Sequence, residues 1–362
     1  MFLRELKLEN FRLFSQIKID FSEEINIITG MNGVGKTSIL ESIYFAALTK
    51  SFRTNNDKQA IRYGNEFFNI QTAFEKKDGQ KFNIRFFFST ANGKNLFVNN
   101  KRVLRFSDFL GTIPCVVLTL GDLKLTFGGP SERRRFMDIL LSQVSPLYID
   151  HLKNYRRSLI QRNALLAQSA AQNIHKQLEI WNEKLVEHGT AIVAKRKDLL
   201  AYLNQHLGKR YNYFTRRSED ISVRYQSTID TDTEDMTKNF FERLRKAFEI
   251  EKRRAMTIVG PHRDDLEFFK DGKSFKEFGS QGENKTLVIA LKLTEWEYLT
   301  ALRKTNPVLL LDDIFGEIDR YRIQALVEVL KQAGQVFITT TMENFPFNGN
   351  KIHVKEGLIS HG

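Results

Sequence analysis

Apolar and polar positions divide the chain into three stretches. In the first, apolar residues mostly alternate with polar ones. Residues 2–21 read as two strands around Asn10-Phe11-Arg12. Residues 66–98 read as antiparallel, with the Phe-rich runs Phe67–Phe74 and Phe82–Phe88 joined through Lys77-Asp78-Gly79 and further turns at Asn92-Gly93 and Asn99-Asn100. Ile25, Ile27 and Ile28, and later Val116–Leu120, are continuous apolar runs suited to buried strands. From Ser131 to Glu251 glycines and prolines are few. Here Phe136–Val144, Tyr148–Leu166 and Leu178–Leu207 carry helical spacing with abundant charge, which predicts a helical insertion with two long antiparallel helices forming an arm. Thr228–Asp235 (TIDTDTED) reads as a solvated acidic loop. Strand character returns over 256–270, and Asp271-Gly272 suggests a hairpin turn. A helix over Asn284–Leu302 follows. Then come an apolar strand (Pro307–Leu311), a helix (Tyr321–Gln332) and a strand (Gln335–Thr340), a β-α-β unit with parallel strands. The expected organisation is one α/β body from residues 1–127 and 256–362, with its antiparallel part at 66–100, interrupted by a mainly helical segment at 128–255.

Composition narrows the class. A chain of 362 residues makes one large domain or two. It is 41% hydrophobic, enough for a sizeable core, yet no run approaches the ~18 apolar residues of a membrane span. The start, MFLRELKLENFRLF, alternates with charge and does not read as a signal peptide. A single cysteine, Cys115, precludes an internal disulfide and fits a reducing cytosol, and the seven histidines lack metal-ligand spacing. The net charge of +12 points to a polyanionic partner. It is unevenly spread. Between Gly128 and Met256 there are 24 Lys and Arg against 16 Asp and Glu, so this third of the chain carries eight of the twelve net charges.

The chemistry is concentrated at Ile25–Leu48. Gly30, Gly35, Lys36 and Thr37 fit the phosphate-binding pattern G-x-x-x-x-G-K-[ST], between an apolar strand and a helix marked by Ile39, Leu40, Ile43, Ala47 and Leu48. Glycines let the backbone N–H groups approach a polyphosphate, and the helix N-terminus adds partial positive charge. Lys36 can reach the β- and γ-phosphates, and the Thr37 hydroxyl can hold Mg2+. Far downstream, the apolar strand ends in Asp312-Asp313, a Walker B pattern. Asp312 would orient the metal or its water, and Asp313 would position the attacking water. Gly279-Ser280-Gln281-Gly282-Glu283 opens a helix, a weak anion-site signal when taken alone. His262-Arg263-Asp264 has the letters of a kinase catalytic loop, but no Asp-Phe-Gly follows and the phosphate loop is of another class.

The order of these motifs resembles the ABC-type ATPase heads of the SMC class, and within them the RecF family of bacterial recombination mediators. The likeness rests on Asn10-Phe11-Arg12, Gly30–Tyr44, Arg133–Asp138, Gly260–Leu266, Gly279–Leu293, Leu309–Asp319 and Thr339–Thr341, which span almost the whole chain. It implies an ABC-type P-loop head with a parallel core sheet, an antiparallel β subdomain and a helical arm. ATP would bind through Gly30, Met31, Asn32, Gly33, Val34, Gly35, Lys36, Thr37 and Ser38, with Lys36, Asp312 and Asp313 catalytic and Thr37 and Asp312 on Mg2+. Ser280, Gln281, Gly282 and Glu283 would act in trans on a partner's nucleotide, and Glu317 and Asp319 would belong to the D-loop. Thr339–Thr341 stands where ABC transporters carry a switch histidine. Glu283 departs from the family's more usual Gln, and Leu120–Leu123 only loosely resembles its Pro-Glu-Asp-Leu, so no Q-loop residue is placed.

The expected function is an ATP-dependent DNA-binding protein of recombinational repair and replication, with weak DNA-stimulated ATPase activity. It would close as a homodimer on duplex DNA at gaps or single-strand/double-strand junctions, partner RecR, and with RecO help load RecA. Its place would be the cytoplasm, at the nucleoid. Basic residues suited to sequence-blind phosphate contact are Arg133, Arg134, Arg135, Arg156, Arg157, Lys195, Arg196, Lys197, Lys209 and Arg210. Two other classes share the phosphate loop, a transporter ATPase subunit and a small-molecule kinase. The long basic insertion, the Asp-Asp ending and the missing switch histidine speak against the first, and the Ser-x-Gly helix start against the second.

Overall fold

The computed structural model describes residues 1–361 apart from 77, 169–173, 232, 234, 343–344, 346–347 and 356. The turn expected at Lys77 and the acidic loop around Asp232 and Glu234 therefore lie partly outside the described residues. The chain divides into two compact units. The first holds Met1–Leu123, Arg210–Arg217 and Gln281–Gly362, and the second Lys124–Lys209 and Ser218–Ser280.

The first unit contains two sheets. One is antiparallel, built from β1 (Phe2–Phe11), β2 (Phe14–Asp20), β4 (Phe67–Glu75), β5 (Lys81–Ser89), β6 (Gly93–Val98) and β7 (Lys101–Arg102), in the order β2-β1-β4-β5-β6-β7. The alternation read from the sequence sets its buried face: Phe68, Ile70, Thr72 and Phe74 on β4, Ile84, Phe86 and Phe88 on β5. That face meets helix α1 (Lys36–Leu48), where the Phe45 ring packs 5.3–6.0 Å from those of Phe11, Phe68 and Phe86.

The other sheet comprises β3 (Ile25–Thr29), β8 (Cys115–Thr119), β12 (Val308–Asp312), β13 (Val336–Thr340), β14 (Asn350–Lys355) and β15 (Leu358–His361), in the order β15-β14-β3-β13-β12-β8. All pairings are parallel except β14 with β15. Its central strands are mainly apolar and almost wholly buried, as cover on both faces requires, with Asn26, Thr339 and Thr340 as buried polar exceptions. Cys115 is buried in β8, and burial pushes its thiol up, out of the range of a reactive thiolate. A short α2 (Phe106–Phe109) precedes β8. Helix α9 (Gln281–Arg303) opens three residues earlier than its periodicity suggested, and α10 (Arg320–Leu330) links β12 to β13 as expected. Register brings Thr119, Asp312, Thr339 and Thr340 to one edge beside Thr29. Ligands of parallel α/β sheets bind at that carboxyl edge.

The second unit combines α3 (Lys124–Phe127), α4 (Pro130–Val144), α5 (Pro146–Ala167), α6 (Ile174–Thr215) and α7 (Met236–Arg254) with α8 (Phe275–Phe278) and a three-stranded sheet. Helices α5 and α6 run antiparallel: His151 meets His188, Arg162 meets Asn182, and Leu166 clusters with Leu178. At 42 residues, α6 is about 63 Å long, and its last turns lie in the first unit. Inside the stretch read as helical, Ile221–Gln226 forms β9. It pairs antiparallel with β10 (Asp265–Lys270), which in turn pairs with β11 (Lys273–Ser274) through the Asp271-Gly272 turn. That pairing ties 256–280 to the helices, so the division falls at Ser280 rather than at the expected 255/256 boundary.

Candidate nucleotide site

The loop between β3 and α1 is held in a shape that only glycine allows at two points. Gly30 has φ +151°, and a Cβ there would lie 2.4 Å from the Val354 carbonyl oxygen; Gly35 has φ +110°, and a Cβ would lie 2.7 Å from the Phe14 ring. Met31, Asn32 and Gly33 are exposed. No side chain caps α1, so its first-turn N–H groups face the loop. Lys36 is buried at the base of the loop, and its Nζ donates to the carbonyls of Gly30 (2.7 Å) and Met31 (2.8 Å). Burial lowers the Lys36 pKa, opposed by Asp313 and Asp312.

Residues 275 positions apart meet at the sheet edge. Thr37 Oγ1 donates to Asp312 Oδ1 at 2.9 Å, and Thr339 Oγ1 donates to the same oxygen at 2.8 Å. Burial raises the Asp312 pKa, the two hydroxyls pull it back, and neighbouring Asp313 adds to the rise. Asp313 sits at φ +52°, and its N–H donates to Thr339 Oγ1 at 2.9 Å. Thr339 thus orients both acids. In the sequence, Thr339 stands out only by its place in the Thr339–Thr341 run. The signal available was a hydroxyl ending the strand next to the Asp-Asp pair.

A second network lies on α1. Arg12 forms a two-pronged pair with buried Glu41 (2.6 and 2.8 Å), which also accepts from Ser51 and, at 3.4 Å, from Arg53. Asn10-Phe11-Arg12 therefore matters as an anchor: its arginine fixes the β1–β2 turn to the helix that follows the phosphate loop.

The remaining predicted residues are spread out. Gln281, Gly282 and Glu283 form the first turn of α9, with Ser280 exposed just before it. Glu317 pairs with Lys285 at 2.7 Å, and Asp319 caps α10 by accepting from the Arg322 N–H at 2.9 Å. Arg263 makes no ion pair among the described contacts; it donates to the Thr257 carbonyl.

Two expected DNA contacts are corrected. Arg133 is buried and grips Asp265 with two 2.7 Å bonds. Arg196 is buried against Asp138 (2.9 Å) and the Pro261 carbonyl (2.8 Å). Neither can present its guanidinium to a phosphate without giving up its carboxylate partner. Arg134 is half-buried and donates to the Asp264 carbonyl, Arg135 is half-buried, Lys197 donates to the Thr231 carbonyl, and Arg210 pairs with Glu297 in the first unit. Arg156, Arg157, Lys195 and Lys209 are exposed.

Fold and site together define an ABC-type P-loop ATPase head of the SMC class. The family model described as RecF/RecN/SMC N terminal domain matches residues 2–354. The chain is 34% identical to the DNA replication and repair protein RecF of Bacillus cytotoxicus over 99% of its length and 98% of the relative's. It is equally identical to RecF of Prosthecochloris aestuarii, over 100% and 99%. A solved structure of the recombination mediator protein RecF–ATP in the RecFOR pathway matches at TM-score 0.93 and 28% identity, covering 99% of this chain and 97% of that one. An Smc head bound to the C-winged helix domain of ScpA matches at TM-score 0.59 and 15% identity, covering 100% and 97%, a likeness of fold alone. The chain belongs to the RecF family of DNA replication and repair proteins.

Proposed function

We propose that this chain is an ATP-switched DNA clamp, in which ATP binding closes a homodimer on gapped duplex and hydrolysis reopens it. One observation carries the reading: Thr37 and Thr339 converge on a single oxygen of Asp312, at the mouth of a phosphate loop whose lysine is already aimed inward. The hard oxygen donors Thr37 and Asp312 suit Mg2+, which keeps most of its waters. No group of three or more His, Cys, Asp or Glu able to hold a metal occurs among the described residues. Bound there with ATP, Mg2+ would neutralise phosphate charge.

The chain's own residues do the rest. Lys36 exchanges the Gly30 and Met31 carbonyls for phosphate oxygens. Thr37 and Asp312 would hold Mg2+ beside the polyphosphate. Asp313, fixed through its N–H by Thr339, orients the attacking water, and the hydrolysis that reopens the dimer is weak and stimulated by DNA. Ser280, Gln281, Gly282 and Glu283 of a second copy cap the γ-phosphate, with Glu317 and Asp319 alongside. The exposed Arg156, Arg157, Lys195 and Lys209 supply phosphate contacts. RecR would be the immediate partner, and RecO and RecA the downstream ones, in keeping with the RecFOR pathway of the related RecF structure.

The test is binding to a fluorescent gapped duplex with and without ATP–Mg2+, over a salt series. Binding that requires ATP and weakens steeply with salt is the expected result. ATP-independent binding would reject the clamp.

A further inference from the structure

The signature turn stands at the start of α9, and α9 is fastened to the nucleotide edge at two places. Near its start, Lys285 donates to the Glu317 carbonyl (3.0 Å) and carboxylate (2.7 Å), just past β12. Further along, the helix packs on β8 and on the turn that follows it. There Lys292, buried, pairs with Glu295 at 2.6 Å and lies 3.9 Å from Asp122. The Asp122 carboxylate accepts from the N–H (2.7 Å) and hydroxyl (3.0 Å) of Thr119. Thr119 is the register partner of Asp312. A continuous chain of contacts therefore runs from the metal-side carboxylate strand, through Thr119, Asp122 and Lys292, into the helix that carries the signature residues.

Neither structural economy nor solubility explains this ion pair. A buried Lys–Glu pair is seldom more stabilising than apolar residues of similar volume. Burial alone would drive the Lys292 ammonium down, but Glu295 and Asp122 more than reverse this and keep it charged.

We propose that Lys292 is a positioning residue for the nucleotide reaction. By holding Asp122, on the turn after β8, against α9, with Glu295 one turn along the same helix keeping the ammonium in place, it sets where Gln281–Glu283, about 14–17 Å along the helix, stand relative to Asp312. This rests on the nucleotide reading above. A shift of the Asp312 strand is passed to the signature turn, and the reverse.

The test separates positioning from packing. Lys292→Met alone strands Glu295 and is expected to destabilise the fold. The double variant Lys292→Met/Glu295→Leu removes the pair and should melt close to wild type. Asp122→Asn keeps an acceptor for Thr119 but removes the charge. If Lys292 positions the helix, the double variant and Asp122→Asn both lose about tenfold in kcat for ATP, with KM changed less than about threefold. Wild-type kcat in a stably folded double variant, or in Asp122→Asn, would overturn the proposal. Lys36→Met, titrated with ATP in parallel, reports on the reading beneath. If Lys36→Met binds ATP like wild type, the nucleotide site falls and this role with it. If it loses ATP while the Lys292 and Asp122 variants turn over normally, only the positioning role falls.

Discussion

In the nucleotide site, Lys36 donates to two loop carbonyls and Thr37 to a carboxylate, contacts that a phosphate or metal can take over. In the second unit, Arg162 directs its donors at Asn182 (2.6 Å), Thr257 (2.8 Å) and Glu251 (2.6 Å), all fixed. Arg133 and Arg196 are satisfied in the same manner. Both regions combine cations with acids in motif-bearing segments. The difference is whether a mobile ligand can replace the partner, and that depends on the partner: Lys36, although buried, holds only loop carbonyls, whereas the arginines hold carboxylates. A functional cation borrows its partners, and a structural one is enclosed with them.

Four variants or conditions probe this contrast, and the largest effect belongs to the loop. Lys36→Met should lower ATP turnover about a thousandfold, roughly 4 kcal/mol of transition-state stabilisation, while the urea midpoint stays at the wild-type value. A normal turnover would place Lys36 with the structural cations. Arg162→Met should do the opposite. It leaves Glu251 buried and unpaired, costing about 3–5 kcal/mol in urea unfolding, with ATP affinity unchanged in the fraction that remains folded. An unaltered midpoint would remove the contrast.

The third effect is titration of His262. Burial drives its pKa from the usual 6.5 down to about 4, helped by Arg263, Arg134 and Arg162 and opposed by the bond to Thr257. In the network its Nδ1 accepts from the Tyr155 hydroxyl (2.6 Å) and its Nε2 donates to the Thr257 carbonyl (3.1 Å), which requires the neutral ring. The unfolded chain therefore binds the proton more readily than the folded one. The stabilisation is fully present above about pH 6.5 and is lost as pH falls towards 4. Between pH 7 and pH 5 the loss should be about 2 kcal/mol. The check is urea unfolding at both pH values with His262→Gln alongside, since that variant should flatten the dependence. The smallest effect is on the exposed pair. Arg156→Ala with Arg157→Ala should leave stability unchanged and reduce the salt slope of DNA binding by about two. An unchanged slope would move the DNA surface elsewhere.

Much of the fold and the centre of the site were legible in the chain because they rest on local pattern. The phosphate loop needs glycines at fixed offsets, and the Asp312 strand is an uninterrupted apolar run. Alternation of Phe on β4 and β5 set the antiparallel sheet. What escaped depends on distant partners. Ile221–Gln226 lies in a charged, glycine-poor stretch, and only its pairing with β10 makes it a strand. Arg133 and Arg196 read as surface charge, because sequence records charge but not enclosure. Lys292 is hidden for the same reason, and Thr339 becomes meaningful only once β13 lies beside β12.

The position of β3 has a consequence for the order in which the molecule can be made. Its two neighbours in the sheet are β13 and β14, which begin at Val336 and Asn350. The strand that presents the phosphate loop therefore leaves the ribosome about 300 residues before either neighbour exists, roughly 15–60 s at ordinary elongation rates. The antiparallel sheet can close early around Phe45, from the first hundred residues. The loop itself, wedged between Phe14 and Val354 at its two glycines, takes its final shape only after Val354 has been made. A nascent chain can thus possess a folded first sheet and still be unable to hold nucleotide.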